Sequence, residues 1–365
     1  MASQYVLYRP EVETLLEDEQ QIIDDIIASM TRLSGRTHEK YGHQVRVSHG
    51  KSHGLAVGEL TVADNLPEHL AQSLFANGGA TYPIIARLAN VPGEIVSDAV
   101  NTQRGFAFKI LGVEGEKIAG HEGQTTQDFV LDTGSYFPMA DAKAFLMQHR
   151  MIEHAPQIPT VVKEAVSAVS RVTNEALNKL GADSAKLDFF GDSRIHPLAE
   201  AYFSQAPLRY GNYIAKLAVT PVSAKQKELA EKNVEVDSYN DSNALRTATV
   251  GYLRENDAEF DVQIQLCTDL EKMPVENANI DWKQEDSPYL TVARIRLPKQ
   301  EAYSEARQKY VEALSFSPAH SLAAFRPLGS IMRVRLQAYP TMSRIRREGN
   351  HEPMAEPVSI NEVPA

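Results

Sequence analysis

An α+β fold is predicted by two periodicities and their order along the chain: strand-like runs, a helical block, further strands and closing helices, with no βαβ alternation. No Pro/Gly-rich linker divides the chain and no internal repeat is found. The expected organisation is therefore an N-terminal amphipathic helix within residues 1–40, one large body over 41–349 and a tail over 350–365.

Taken in order, residues 10–34 place Val12, Leu15, Leu16, Ile22, Ile23, Ile26, Ile27 and Met30 at helical spacing on an acidic segment. Strand-like runs follow at 55–63, 82–89, 105–113 and 128–132, punctuated by Gly78-Gly79 and Pro92-Gly93. The period then changes. Ala144, Phe145, Met147, Met151 and Ile152 read as one helix, and Val161, Val162, Ala165, Val166 and Val169 as a second, broken at Pro156 and Pro159. Strands return at 213–220, 260–266 and 289–297. In the last, the series Leu290, Val292, Arg294, Arg296 predicts faces of different polarity. Residues 223–255 are polar and partly helical, most clearly at 225–232. Helices are expected at 301–315 and 328–348, before a tail with three prolines and three glutamates that should lie extended on the surface.

Composition narrows the function. The 365 residues are 43% hydrophobic and 23% charged, as in ordinary globular proteins. A net charge of −11 argues against nucleic acid as a partner. No run of 18 apolar residues exists to span a membrane. The first ten residues lack a basic region followed by an apolar core, so no secretory signal is expected. Cys267 is the single cysteine, which excludes an intrachain disulfide and cysteine-based zinc or iron–sulfur sites. These features fit a cytoplasmic protein.

Three patterns carry chemistry. On a helix, Arg335 and Tyr339 share one face, so a guanidinium sits beside a phenol and favours its ionised form, a hard ligand suited to ferric iron. Arginine and tyrosine also share helix faces for packing reasons alone. Arg46-Val-Ser-His49-Gly-Lys51-Ser-His53-Gly holds two histidines four apart; Gly50 and Gly54 disfavour the helix a metal pair needs. An imidazole facing an open coordination position suits proton transfer, and a polar loop before a strand is the plain alternative. Arg87 is planted in the apolar run Ile84-Ile85-Ala86-Arg87-Leu88-Ala89 and needs an anionic partner, by default a protein carboxylate. Arg104-Gly-Phe-Ala-Phe-Lys109 reads as structural, with Gly105 allowing close backbone approach.

Read together, these segments resemble the haem-dependent catalase superfamily, in particular its short bacterial, mini-catalase branch. The resemblance rests on Arg46-Val-Ser-His49-Gly-Lys51, Gly58-Glu-Leu-Thr-Val62, Pro83-Ile-Ile-Ala-Arg87, Arg104-Gly-Phe-Ala-Phe-Lys109, Phe203-Ser-Gln-Ala-Pro-Leu-Arg-Tyr-Gly211, Arg326-Pro-Leu-Gly329 and Arg335-Leu-Gln-Ala-Tyr339-Pro. It covers about residues 40–350. It implies an antiparallel β-barrel wrapped by helices and a haem b cofactor. Tyr339 would be the axial iron ligand, as tyrosine is in catalase, with Arg335 keeping it a phenolate. His49 matches the distal histidine and His53 does not. Arg46, Arg87 and Arg346 match the propionate-binding arginines, and Phe145 the ring over the distal haem face, where core packing explains it nearly as well.

The implied activity is a haem oxidoreductase that reacts with hydrogen peroxide or an organic or lipid hydroperoxide through a ferryl intermediate. The alternatives are a true catalase and a haem store or sensor without turnover. Association into a homo-oligomer is also implied, with no segment marking the interface. Three departures bear on activity. Asp132 (or Thr133, if the register slips) stands where the family has an asparagine, and an ionised carboxylate cannot donate a hydrogen bond to peroxide as an amide does. Ser48 replaces a valine, and Ala89 a serine.

Overall fold

The computed structural model describes residues 4–153, 194–236 and 242–365. Its centre is an antiparallel sheet of β1 (Ser52–Val62), β2 (Thr81–Asn90), β3 (Arg104–Leu111), β4 (Thr126–Asp132), β5 (Tyr202–Phe203), β6 (Leu208–Tyr210), β7 (Tyr213–Pro221), β8 (Ala258–Leu266) and β9 (Leu290–Leu297). The strand order is β5-β4-β3-β2-β1-β9-β8-β7-β6, and β5 also pairs with β7. That second pairing closes eight strands into a barrel, leaving β6 as a short extension on β7. Closure satisfies both edges of the sheet.

Alternation decides what each strand presents. Ala56, Leu60, Ile84, Ala86, Leu88, Phe106, Phe108, Ile110, Phe129 and Leu131 point into the barrel and join the main hydrophobic core. The intervening residues of β2, β3 and β4 face outward, and the register aligns them. Arg87, Ala107 and Val130 form one row; Ala89, Gly105 and Asp132 form the next. The outer surface of these three strands is covered by helices.

The helices are α1 (Glu19–Tyr41), α2 (Ala142–Ile152), α3 (Ala224–Ala230), α4 (Ala244–Glu255), α5 (Glu305–Ala313) and α6 (Ser330–Asn350). Ile22, Ile23, Ile26 and Met30 of α1, Ala142 and Leu146 of α2, and Val334, Ala338 and Met342 of α6 bury one another in a second cluster. Arg333 ties α6 to the N-terminal segment through Glu13 (2.7 Å) and Glu19 (2.6 Å), and to the β8–β9 connection through Glu276 (2.9 Å).

Several expectations are corrected. The first helix begins at Glu19, later than predicted, with a 3-10 turn at Pro10–Val12 before it and Leu15 exposed. In β9 a bulge between Thr291 and Ala293 breaks the alternation. Val292 is buried while Arg294 and Arg296 are exposed, so the four residues do not share a face. The 225–232 segment is helical as expected, as α3, and α4 adds a longer helix later in the same polar stretch. The tail is packed: Val363 is buried against Leu55, Ile85 and Leu314, and Glu356 reaches Lys109 at 3.3 Å. The predicted helix around Val161–Val169 lies outside the described residues. No described helix is long and apolar enough to cross a membrane.

Candidate functional site

Between the outer face of β2–β4 and the layer of α1, α2 and α6 lie two adjoining cavities of about 100 and 330 Å³. Both are lined by Met30, Val47, Ser48, His49, Ala338 and Tyr339. The outward rows of the sheet explain the space: Ala89, Gly105 and Ala107 carry little or no side chain where neighbouring positions would fill it. At Gly105 the restriction is absolute, because a Cβ there would overlap the His49 ring and come within 3.1 Å of the Asp132 carboxylate.

One end of the site is cationic. Arg46, Arg87 and Arg346 all line the smaller cavity, Arg87 and Arg346 buried and Arg46 half-buried. Arg46 donates to the carbonyls of Val311 and Leu314, and Arg346 to those of Glu312 (3.1 Å) and Leu314 (3.0 Å). Arg87 donates to the carbonyl of His49 at 2.6 Å, and its Nε has no partner. Among the described residues none of the three forms an ion pair with a carboxylate, which corrects the default expectation. Burial, then repulsion from Arg346, pulls the Arg87 guanidinium down to about 9, with Glu312 opposing. Burial, then repulsion from Arg87, lowers Arg46, and burial, then repulsion from Arg46 and Arg347, lowers Arg346. Three such cations, with the Glu312 carboxylate acting on them only from beyond ion-pair distance, form a receptor for an anion.

Tyr339 projects from α6 into both cavities, half-buried, with Pro340 directly after it inside the helix. Burial raises its phenol, Arg335 draws it down and Asp132 raises it again; the balance lies above the ordinary value. The guanidinium is shared: it lies over the Phe137 ring at 5.2 Å and 3.8 Å from the Asp132 carboxylate.

His49 lies in the segment between α1 and β1 with a left-handed backbone, φ 58°. For a residue with a side chain this is uncommon and must be held by its surroundings. The clamps are its N–H to the Val91 carbonyl (2.7 Å) and its own carbonyl accepting from Arg87. The ring is fixed at both nitrogens, Nε2 to Asp132 Oδ1 at 2.6 Å and Nδ1 to Ser48 Oγ at 2.9 Å. Burial alone would raise the Asp132 carboxyl, but the charge and hydrogen bond of His49, with Arg335 behind, hold it below the usual carboxylate range. Phe145 lines the larger cavity and packs edge-on to Phe137 (5.4 Å) and His149 (4.5 Å).

All eight residues singled out from the sequence thus meet around these cavities: Arg46, His49, Arg87, Asp132, Phe145, Arg335, Tyr339 and Arg346. His53 does not. It is fully buried, bonded to Asn90 at 2.7 Å and pushed down to about 4 by burial. Among the described residues no group of three or more His, Cys, Asp or Glu could hold a metal ion. What sequence reasoning missed is the clearing role of Gly105 and Ala107 and the Leu314 carbonyl that receives two arginines. Gly105 in an apolar strand was a signal, read only as backbone approach.

The donor set fits haem. A flat apolar macrocycle with two carboxylates on one edge matches a slot walled by Met30, Val47, Ala338 and small outward strand residues, with three anion-seeking arginines at one end. Tyr339 presents a phenol oxygen to both cavities.

No family model matches the chain. A catalase from Schizosaccharomyces pombe is 34% identical over 95 residues, 26% of this chain and 18% of that protein. The match thus spans under a fifth of the curated relative's length. Among solved structures, a fungal catalase superposes with a TM-score of 0.58 at 17% identity, covering 96% of this chain and 67% of that one. Catalase A from Saccharomyces cerevisiae gives 0.57 at 16%, covering 96% and 68%. A bacterial catalase gives 0.54 at 16%, covering 97% and 66%. The chain has the catalase fold, an antiparallel eight-stranded barrel with helices, in about two thirds of those proteins' length.

Proposed function

We propose that this protein is a haem b-dependent oxidoreductase that consumes a peroxide, with organic hydroperoxides favoured over hydrogen peroxide. The observation that carries the reading is the set of three cavity-lining arginines that form no ion pair with a carboxylate, gathered beside Tyr339 and the His49–Asp132 pair. Arg46, Arg87 and Arg346 would receive the haem propionates, and Tyr339 would be the axial oxygen ligand with Arg335 as a nearby cation. Bound haem iron would supply the electrons that cleave the O–O bond. The protein's own task is the proton: the His49–Asp132 pair takes it from one peroxide oxygen and delivers it to the departing one. Phe145, Phe137 and the apolar walls limit water around that transfer.

Asp132 is the reason to favour organic hydroperoxides. Its ionised carboxylate accepts from His49 and gives peroxide no donor, so the amide contact of the family pattern is missing.

The test is haem content per chain, followed by oxygen release from hydrogen peroxide and consumption of cumene hydroperoxide, both normalised to haem. A full haem complement with hydroperoxide consumption outrunning oxygen release is expected. Rapid oxygen release would make the protein a true catalase. Haem without reaction would make it a store or sensor. A haem-free protein, or a Tyr339→Phe variant with an unchanged haem spectrum, would remove the reading or its axial assignment respectively.

A further inference from the structure

We propose that the larger cavity receives the organic group of an uncharged hydroperoxide, with Glu94, Thr102 and His149 as specificity-determining residues that disfavour a substrate bearing a carboxylate. The inference rests on the haem reading of the site and names the class of hydroperoxide that reading leaves open.

Position comes first. The connection between β2 and β3 runs alongside His49: the Val91 carbonyl accepts the His49 N–H at 2.7 Å, and the Pro92 carbonyl accepts that of Gly50 at 2.9 Å. Val91, Val96 and Val100 of this connection line the larger cavity and not the smaller one, where the three arginines gather. Met139 and Phe145 extend the apolar wall. The wall is preformed, because buried Lys51 bonds Asp98 at 2.6 Å and the Val96 carbonyl at 3.0 Å and so fixes the connection from behind. A peroxide whose proton is handled by His49 has these valines beside its carbon substituent, and removing hydrocarbon from water onto them is favourable.

The charges decide what that substituent can carry. Among the described residues lining the larger cavity, Arg335 is the single arginine or lysine, and it stands 3.8 Å from Asp132. His49 is bonded to the same carboxylate at 2.6 Å. His149 is pushed down to about 4 by burial and is neutral near pH 7. Glu94, itself buried, adds a second carboxylate to the wall and engages Lys40 of α1 at 2.8 Å. A carboxylate on the substrate would therefore be buried beside two acids with every nearby cation already engaged, which is costly. Two uncharged side chains are left wanting instead. Thr102 and His149 line the cavity and are 2% and 5% exposed, and neither Thr102 Oγ1 nor His149 Nδ1 has a hydrogen-bond partner among the described residues. A hydroxyl, ether or carbonyl on the ligand satisfies such groups without bringing a charge.

Unreactive alcohols separate binding from turnover. Isothermal calorimetry on the haem-loaded protein compares cumyl alcohol with the same alcohol bearing a para-carboxylate, two probes that differ by a single charge. The carboxylate should bind at least about 30-fold more weakly. Glu94→Gln removes one acid and releases Lys40, so it should narrow that ratio at least about tenfold. Val96→Phe fills the wall and should weaken cumyl alcohol about tenfold, which places the probe in this cavity. The kcat/KM ratio for cumene hydroperoxide over its para-carboxylate should follow the binding ratio. The comparison of the two alcohols on the wild-type protein needs no variant to fold. Equal affinities, no binding of cumyl alcohol, or unchanged binding in both variants, in protein with a full haem complement, would overturn the proposal and leave the haem reading standing. Absence of haem would overturn both.

Discussion

Replacing Arg87 by glutamine should stabilise the haem-free protein and weaken the haem-loaded one, a reversal that follows from a cation buried without an anion. Arg87 is 4% exposed, donates only to the His49 carbonyl, and has its guanidinium drawn down to about 9 by burial and by Arg346. Its folded pKa lies below its unfolded one, so at pH 7 the full penalty opposes folding. The penalty is relieved only as pH rises past about 9 toward the unfolded guanidinium range. The displacement corresponds to roughly 5 kcal/mol. A glutamine retains a donor for the His49 carbonyl but loses a charged hydrogen bond of about 1.5–3 kcal/mol. The haem-free variant should therefore gain about 2–3 kcal/mol and melt a few degrees higher. With haem bound, the same substitution removes a partner for a propionate, and haem should dissociate about 10- to 100-fold faster. Calorimetry of both forms, with haem transfer to an excess of apomyoglobin, reads both effects. A variant that loses stability equally with and without haem, and releases haem at the wild-type rate, would refute the reasoning that these arginines await an anion.

Three further outcomes are expected. His49→Ala should keep its haem and lose peroxide turnover by at least about 100-fold; full turnover would remove the proton role from His49. Gly105→Ala forces a methyl into the His49 ring, so it should cost about 1–3 kcal/mol by thermal melting and slow peroxide consumption as well. Deleting residues 354–365 uncovers Leu55, Ile85 and Leu314 and removes buried Val363, worth about 1.5–3 kcal/mol. Because the Leu314 carbonyl holds both Arg46 and Arg346, haem retention should fall with it; unchanged retention would show that the tail does not support the arginine end.

Much of this protein was legible in order of residues alone, and the reason is local. Strands and helices follow from periodicity, which needs no partner: β1 to β4, β7, β8, α2 and α6 appear within a few residues of their expected places. Arg335 and Tyr339 were placed on one helix by spacing, and Arg87 stood out because a charge in an apolar strand demands an explanation. The bulge in β9 was not legible, since a single extra residue is set by pairing with β8 and leaves no mark in composition. Tertiary structure alone decided that β5 pairs with β7 to close the barrel, and that Arg87–Ala107–Val130 and Ala89–Gly105–Asp132 align as outward rows. It alone decided that Arg46, Arg87 and Arg346, separated by up to 300 positions, converge without an ion pair to any carboxylate among the described residues. It also decided that Asp132, standing where the family pattern has an amide, bonds His49. Periodicity reports which face a residue occupies; only register and helix packing determine which faces meet, and the chemistry of this site depends on that meeting.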